Sequence, residues 1–205
     1  MEIIENAQQQ TFEISPELLE MLGESEPRNV HFNNDVDDEF LNMVLCKLVK
    51  WETEDLGMPI EQRVPVNFYL NSLGGDITTG LAIIDFIQQM QTPVNMIVTK
   101  AYSMATAILL SVPLENRYMF KNASILIHEG SMELSGGMRK VSTTIDFMKR
   151  IATVYDNMII HNTNITKKKL HKRKGDEWYI FSEEAKKLGL VGSIIGQDCL
   201  LQDIL

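Results

Sequence analysis

Cysteine is nearly absent from this chain. The two present, Cys46 and Cys199, lie far apart and form no CxxC pair, so neither a disulfide framework nor a zinc site is indicated and a reducing compartment fits best. Also missing is any apolar run of signal or membrane length near the N-terminus. Met1 to Arg28 instead carries seven Glu and the tract Gln8-Gln-Gln10, so neither a secretory leader nor a membrane-spanning helix is expected, and the cytoplasm is the expected compartment. Positive charge is in deficit: 19 Lys and Arg against 28 Asp and Glu give a formal net charge of −9, which argues against a general nucleic-acid binder. The one basic block, Lys167-Lys-Lys-Leu-His-Lys-Arg-Lys174, lacks interleaved aromatics and reads as a solvated helix face.

What is present suits a globular protein with one core. At 205 residues, 44% hydrophobic and 23% charged, the chain can bury a sizeable core and is too short for two comfortable domains. The expected layout is an acidic arm over residues 1–28, a folded body over 29–196 and a short tail over 197–205. The arm holds one brief helical pattern, Pro16 to Leu22, and is expected to order only against a partner or neighbouring subunit.

Along the body, apolar periodicity alternates between two and 3.6. Short strands are expected at Asn29–Asn33, Val64–Leu70, Pro93–Val98, Arg117–Phe120 and Ser124–His128, with a last one at Val191–Ile195. Helices are expected after Asp37 or Asp38, over Ile77–Met90, from Met104 to Leu110, and from Glu183 to Leu188 with Ser182 as a plausible cap. Strand, helix, strand, helix implies an α/β protein with a parallel sheet and right-handed crossovers. Val141, Ile145, Met148, Ile151, Val154, Met158 and Ile159 make an apolar stripe on one helix from Met138 to Asn162. That helix outgrows the core, so its far end is expected to pack against another subunit.

Two turns of this scheme fall on one carboxyl-end edge of the sheet. In the first, Gly74 and Gly75 sit between a strand and a helix, where glycine permits positive φ or a close backbone approach. In the second, Ser103 separates a strand from a helix, where a nucleophile would meet unpaired N–H groups; a plain helix N-cap would use the same residue. His128 ends another strand and is the histidine best placed to act as base, although a structural histidine could stand there too. Asp176 and Glu177 lie in a polar turn from which a carboxylate could orient that imidazole, with surface charge as the plain alternative.

The blocks Asn71-Ser-Leu-Gly-Gly75, Ala101-Tyr-Ser-Met104, Ile125-Leu-Ile-His128 and Trp178-Tyr-Ile-Phe-Ser-Glu-Glu-Ala-Lys-Lys-Leu-Gly-Leu190 resemble, in order and spacing, those of the Clp protease proteolytic subunit family. The resemblance runs from about Val30 to Ile195. It implies a ββα superhelix shared with crotonases, a long handle helix, and a serine peptidase acting on unfolded polypeptides inside stacked heptameric rings. Ser103 would be the nucleophile, His128 the general base, and Glu177 by register or Asp176 by chemistry the acid. The N–H groups of Gly75 and Met104 would form the oxyanion hole, with Gly74, Ser131 and Met132 along the substrate. No metal or organic cofactor is implied, and ATP would be used only by a partner AAA+ unfoldase. Neither nucleic acid nor membrane is an expected partner. The chain departs from the family pattern at Leu73, where proline is usual, at Thr99 and Ala105 around the serine, where glycine is usual, and at Glu129-Gly130 after the histidine, and Lys100 and Tyr102 could narrow the site. Such divergence suggests a specialised relative, such as a phage-encoded or accessory member. An impaired ring subunit and a crotonase-like acyl-CoA enzyme are the alternatives.

Overall fold

Runs of Val, Ile, Leu and Phe bounded by Asn, Pro and Gly form the strands of one mixed sheet, and the amphipathic runs between them form its helices. The computed structural model describes residues 27–130, 133–173 and 175–205, so most of the expected acidic arm lies outside the described residues. In chain order the elements are β1 (Arg28–Phe32), α1 (Asp38–Glu54), β2 (Val66–Ser72), α2 (Ile77–Gln89), β3 (Val94–Tyr102), α3 (Met104–Leu109) and β4 (Arg117–Ile127). These are followed by α4 (Met138–Asn162), α5 (Lys167–Arg173), β5 (Trp178–Phe181), α6 (Ser182–Lys187) and β6 (Ser193–Ile195). Strands β1 to β4 run parallel in sequential order, β5 closes antiparallel on β4, and β6 pairs parallel with β4.

Asp37 starts α1 by accepting the Phe40 N–H at 2.8 Å, and Asp76 starts α2 by accepting the Thr79 N–H at 2.8 Å. The faces that follow are apolar: Phe40, Val44 and Leu48 of α1 and Ile83, Ile84 and Ile87 of α2 are buried on the sheet. Phe32 and Phe40 stack with centroids 3.7 Å apart, and Phe68 meets both edge-on. Each such side chain contributes about 1.5–3 kcal/mol of transfer free energy.

Polar anchors tie the layers together. Arg28 forks onto Asp55 at 2.6 and 2.9 Å, and the Thr92 hydroxyl donates to the same carboxylate at 2.7 Å, so one buried ion pair joins β1, the end of α1 and the approach to β3. The Arg28 guanidinium holds the Asp55 carboxyl below the usual carboxylate range. Arg117, at the start of β4, is equally buried but faces carbonyls: Nε donates to Val112 O at 2.8 Å, while Nη1 reaches Asn162 O at 2.9 Å and Gly189 O at 3.4 Å. Burial pushes this guanidinium down to about 10.

Two expectations need correction. Arg117–Phe120 and Ser124–His128 are not separate strands but the two ends of β4. Between them the register shifts, Val98 pairing with Met119 and Lys100 with Ser124. The stretch between them is a bulge, which lets one strand pair with β6 through Tyr118–Phe120 and with β5 through Ser124–Ile127. Ser182 does not cap α6. Its hydroxyl donates to Lys121 O at 2.8 Å, because a buried hydroxyl beside that bulge finds a carbonyl closer than the helix N–H groups.

Helix α4 spans the expected residues, but only its C-terminal part meets the core, through Ile159. Ile145, Phe147 and Val154 stay 37%, 48% and 42% exposed along its length. The segment after β6 packs back on the sheet, where Ile204 joins Ile97 and Ile195. Among the described residues no helix is long and apolar enough to cross a membrane.

Candidate functional site

Strand β3 ends at Tyr102 and α3 begins at Met104, which leaves Ser103 to make the whole turn. Its φ of 53° and ψ of −121° make it the one non-glycine residue with positive φ among the described residues. A conformation this sparsely populated costs about 1–3 kcal/mol and persists only where neighbours over-determine it. Here they do. The Ser103 N–H donates to Leu126 O at 3.0 Å, and the Ser103 carbonyl accepts from Thr106 N–H at 2.9 Å and from the Tyr155 hydroxyl at 3.1 Å. The Thr106 hydroxyl in turn reaches Ala101 O at 2.8 Å and Leu126 O at 3.0 Å. Ser103 occupies the N-cap position, yet its side chain makes no capping hydrogen bond to α3.

The Gly74–Gly75 turn meets this one directly. A Cβ on Gly74, whose φ is +102°, would lie 2.8 Å from Ser103 Cβ and 3.0 Å from Met104 N. Gly75, at φ +146°, lies against Val36: the Val36 N–H donates to Gly74 O and the Asp76 N–H to Val36 O, both at 2.8 Å. That bridge turns the Gly75 N–H away from Val36. Met104 N–H, at the first position of α3, has no acceptor within its helix.

His128 follows the end of β4. Its Nε2 is buried and has no hydrogen-bond partner among the described residues, while its Nδ1 lies 3.9 Å from Glu177 Oε1. The antiparallel register explains the second distance: Ile127 pairs with Trp178, so one step further His128 faces Glu177. Asp176 falls a further step away, is exposed, and gives its N–H to Arg173 O at 3.1 Å. Glu177 is held from behind by the Tyr179 hydroxyl, which donates to Oε2 at 2.6 Å. This bond to the carboxylate raises the phenol above its ordinary range. The Tyr179 ring meets Tyr102 edge-on at 5.6 Å, and the Tyr102 hydroxyl lies 2.8 Å from Ser124 Oγ.

Ser103, Met104 and His128 open into one cavity of about 270 Å³, walled by Ile77 and by Met148, Ile151, Tyr155 and Asp156 of α4. Burial, the strongest influence on it, pushes the Tyr155 phenol far up. A larger cleft of about 720 Å³ lies near Arg117 and includes Ser111 and His161. Its groups face their own helices, Ser111 Oγ donating to Ile108 O at 2.7 Å and His161 Nδ1 lying 2.7 Å from Asn157 O. It brings together no hydroxyl and base of the kind seen at Ser103. Among the described residues no group of His, Cys, Asp and Glu is clustered to hold a metal.

The structure thus brings Ser103, Met104, Gly74, Gly75, His128 and Glu177 to one edge and leaves Asp176 outside it. Ser131 and Met132 lie outside the described residues. Tyr155 and Tyr179 escaped the sequence reading. Tyr155 is four residues from Ile151 and seven from Met148, on the stripe read as packing surface. Tyr179 is two residues from Glu177 and therefore on the same strand face. The family model described as Clp protease matches residues 14–198.

Proposed function

Since the chain belongs to the Clp protease family and so to a group of peptide hydrolases, we propose that it is a serine endopeptidase with Ser103 as nucleophile, His128 as general base and Glu177 as the orienting acid. The observation that carries this is the strained Ser103 turn opening into the same cavity as a buried, unpartnered imidazole nitrogen. Ser103 Oγ attacks the substrate carbonyl carbon and its proton passes to His128 Nε2. The carbonyl electron pair moves onto oxygen, which the Gly75 and Met104 N–H groups receive, a contribution of about 10²–10³ in rate per donor. As the C–N bond breaks, the imidazolium returns the proton to the leaving amine. Water repeats the sequence on the acyl-serine and restores the hydroxyl. Glu177 stabilises the imidazolium from the Nδ1 side, and the 3.9 Å separation closes when substrate binds, as resting catalytic contacts commonly do.

An extended substrate adds by β-pairing along the edge near Gly74 and Gly75. The reaction as drawn calls on no metal or organic cofactor. Members of the family typically form oligomeric rings, and the apolar flank of α4 is the surface such a ring would cover. Enclosure in stacked heptamers would limit entry to unfolded chains delivered by an AAA+ unfoldase, the partner that spends ATP.

A fluorophosphonate probe tests the site. The expected result is an adduct mapped to Ser103 by peptide mass spectrometry, together with loss of labelling in His128→Ala and of peptide cleavage in Ser103→Ala. An assembled protein that takes no label would be a ring subunit without chemistry.

A further inference from the structure

The peptide that joins Ser103 to Met104 carries two polar groups with different partners. Its carbonyl oxygen faces donors of the protein, and its N–H is one of the two that would receive the oxyanion. A peptide unit is flat, and this one is trans, so its oxygen and its N–H point in opposite directions and can only turn together. Rotation about the Ser103 ψ, which stands at −121°, swings both at once. Whatever holds the Ser103 carbonyl therefore aims the Met104 N–H.

Two donors hold that carbonyl. The Thr106 N–H, at 2.9 Å, belongs to α3, the helix that this peptide begins. The Tyr155 hydroxyl, at 3.1 Å, comes from α4 and is the donor that lies outside the turn and its helix. The Tyr155 ring packs against the core and lines the cavity that Ser103 and Met104 share. Burial, and after it the nearby Asp156 charge, keeps the proton on the phenol, while Thr106 makes a further side-chain hydrogen bond to it. A donor on the carbonyl also draws electron density from the amide and strengthens its N–H, as hydrogen bonds in a chain polarise one another. We infer that Tyr155 is a positioning residue for the oxyanion hole, its hydroxyl fixing and polarising the Ser103–Met104 peptide so that the Met104 N–H meets the oxyanion. The effect on rate rests on the endopeptidase reading of Ser103, whereas the hydrogen bond is a feature of the structure itself.

Tyr155→Phe keeps the ring and removes the donor, so it makes the test beside the unaltered protein, both assembled and well below their melting temperatures. A fluorophosphonate places a phosphoryl oxygen where the oxyanion forms, and its labelling rate constant reads the hole as well as the serine. The expected rate is about three- to tenfold lower in Tyr155→Phe, with the midpoint of its pH profile unmoved because the His128 base is untouched. The melting temperature should fall by only about 2–4 °C, as for one neutral hydrogen bond. Peptide cleavage should lose kcat by a similar factor with KM little changed. An unchanged labelling rate overturns the inference, and so does a loss confined to KM. Should the unaltered protein neither label nor cleave, the endopeptidase reading falls and the amide itself decides. With carbon-13 at the serine carbonyl and nitrogen-15 in methionine, an NMR correlation selects the Ser103–Met104 and Ser131–Met132 peptides alone, and Ser103→Ala identifies the first by its loss. A Met104 amide signal displaced in Tyr155→Phe upholds the positioning, and one that stays in place overturns it.

Discussion

Alanine at position 74 would put a methyl group where the structure has no room for one. The added Cβ would stand 2.8 Å from Ser103 Cβ, 2.8 Å from Tyr102 O and 3.0 Å from Met104 N. All three belong to the turn itself, so no flexible side-chain tip can swing aside. The backbone at φ +102° adds its own penalty, about 1–2 kcal/mol for an L-residue. With the contacts to relieve, the total cost is about 2–4 kcal/mol. For a chain of this length each kcal/mol lowers the melting temperature by about 2–4 °C, so a fall of about 5–15 °C is expected in a thermal melt. The serine has to yield as well, and a misplacement of about 1 Å can cost about 10² in rate. Well below the melting temperature, Gly74→Ala should therefore react with a fluorophosphonate at least about tenfold more slowly than the unaltered protein. Gly175→Ala is the control, because a Cβ there meets nothing within 4 Å. If Gly74→Ala melts and labels as the unaltered protein does, the close approach of the two turns is not what holds Ser103.

Asp55→Asn leaves Arg28 without its buried partner, a loss of about 3–5 kcal/mol, read as a melting temperature lower by about 6–20 °C. Because Arg28 lowers the folded-state pKa of Asp55, the pair stabilises above the unfolded value of about 3.9 and that contribution disappears as pH falls through the folded value. Melting curves below about pH 4 should thus converge for Asp55→Asn and the unaltered protein, and a constant gap down to pH 2 would contradict the assignment. Tyr179→Phe frees Glu177 from its 2.6 Å bond, so kcat for a short peptide should fall by about three- to tenfold with KM little changed. A rise in KM alone would mean that Tyr179 touches substrate and does not position the acid.

The long helix was legible because its seven apolar residues recur at one period over its whole length, and periodicity reads best in long segments. The turn glycines were legible because few other residues serve where one backbone nearly touches another. What escaped was whatever depended on partners distant in sequence. Arg117–Phe120 and Ser124–His128 look like two strands until β5 and β6 are seen to pair with different halves of one. Ser182 looks like a cap until Lys121 O is placed beside it. Spacing alone set Asp176 and Glu177 on equal terms, and the pairing of Ile127 with Trp178 distinguishes them. Tyr155 was hidden because a hydroxyl bound to the Ser103 carbonyl has the same helical spacing as a core side chain.

Arg117 joins two distances that otherwise have nothing in common. Its guanidinium reaches Val112 O just beyond the end of α3 and Asn162 O at the end of α4, where the carbonyl ends of both helices favour a cation. The opposite end of α3 carries the serine, and the middle of α4 forms the cavity wall. One side chain thereby ties the far end of α3 to the far end of α4, and so the turn at Ser103 to the cavity wall, much as a pivot joins a pair of jaws. A lysine in its place would keep the charge and lose the fork, so carbonyls at the ends of two helices would no longer share one donor.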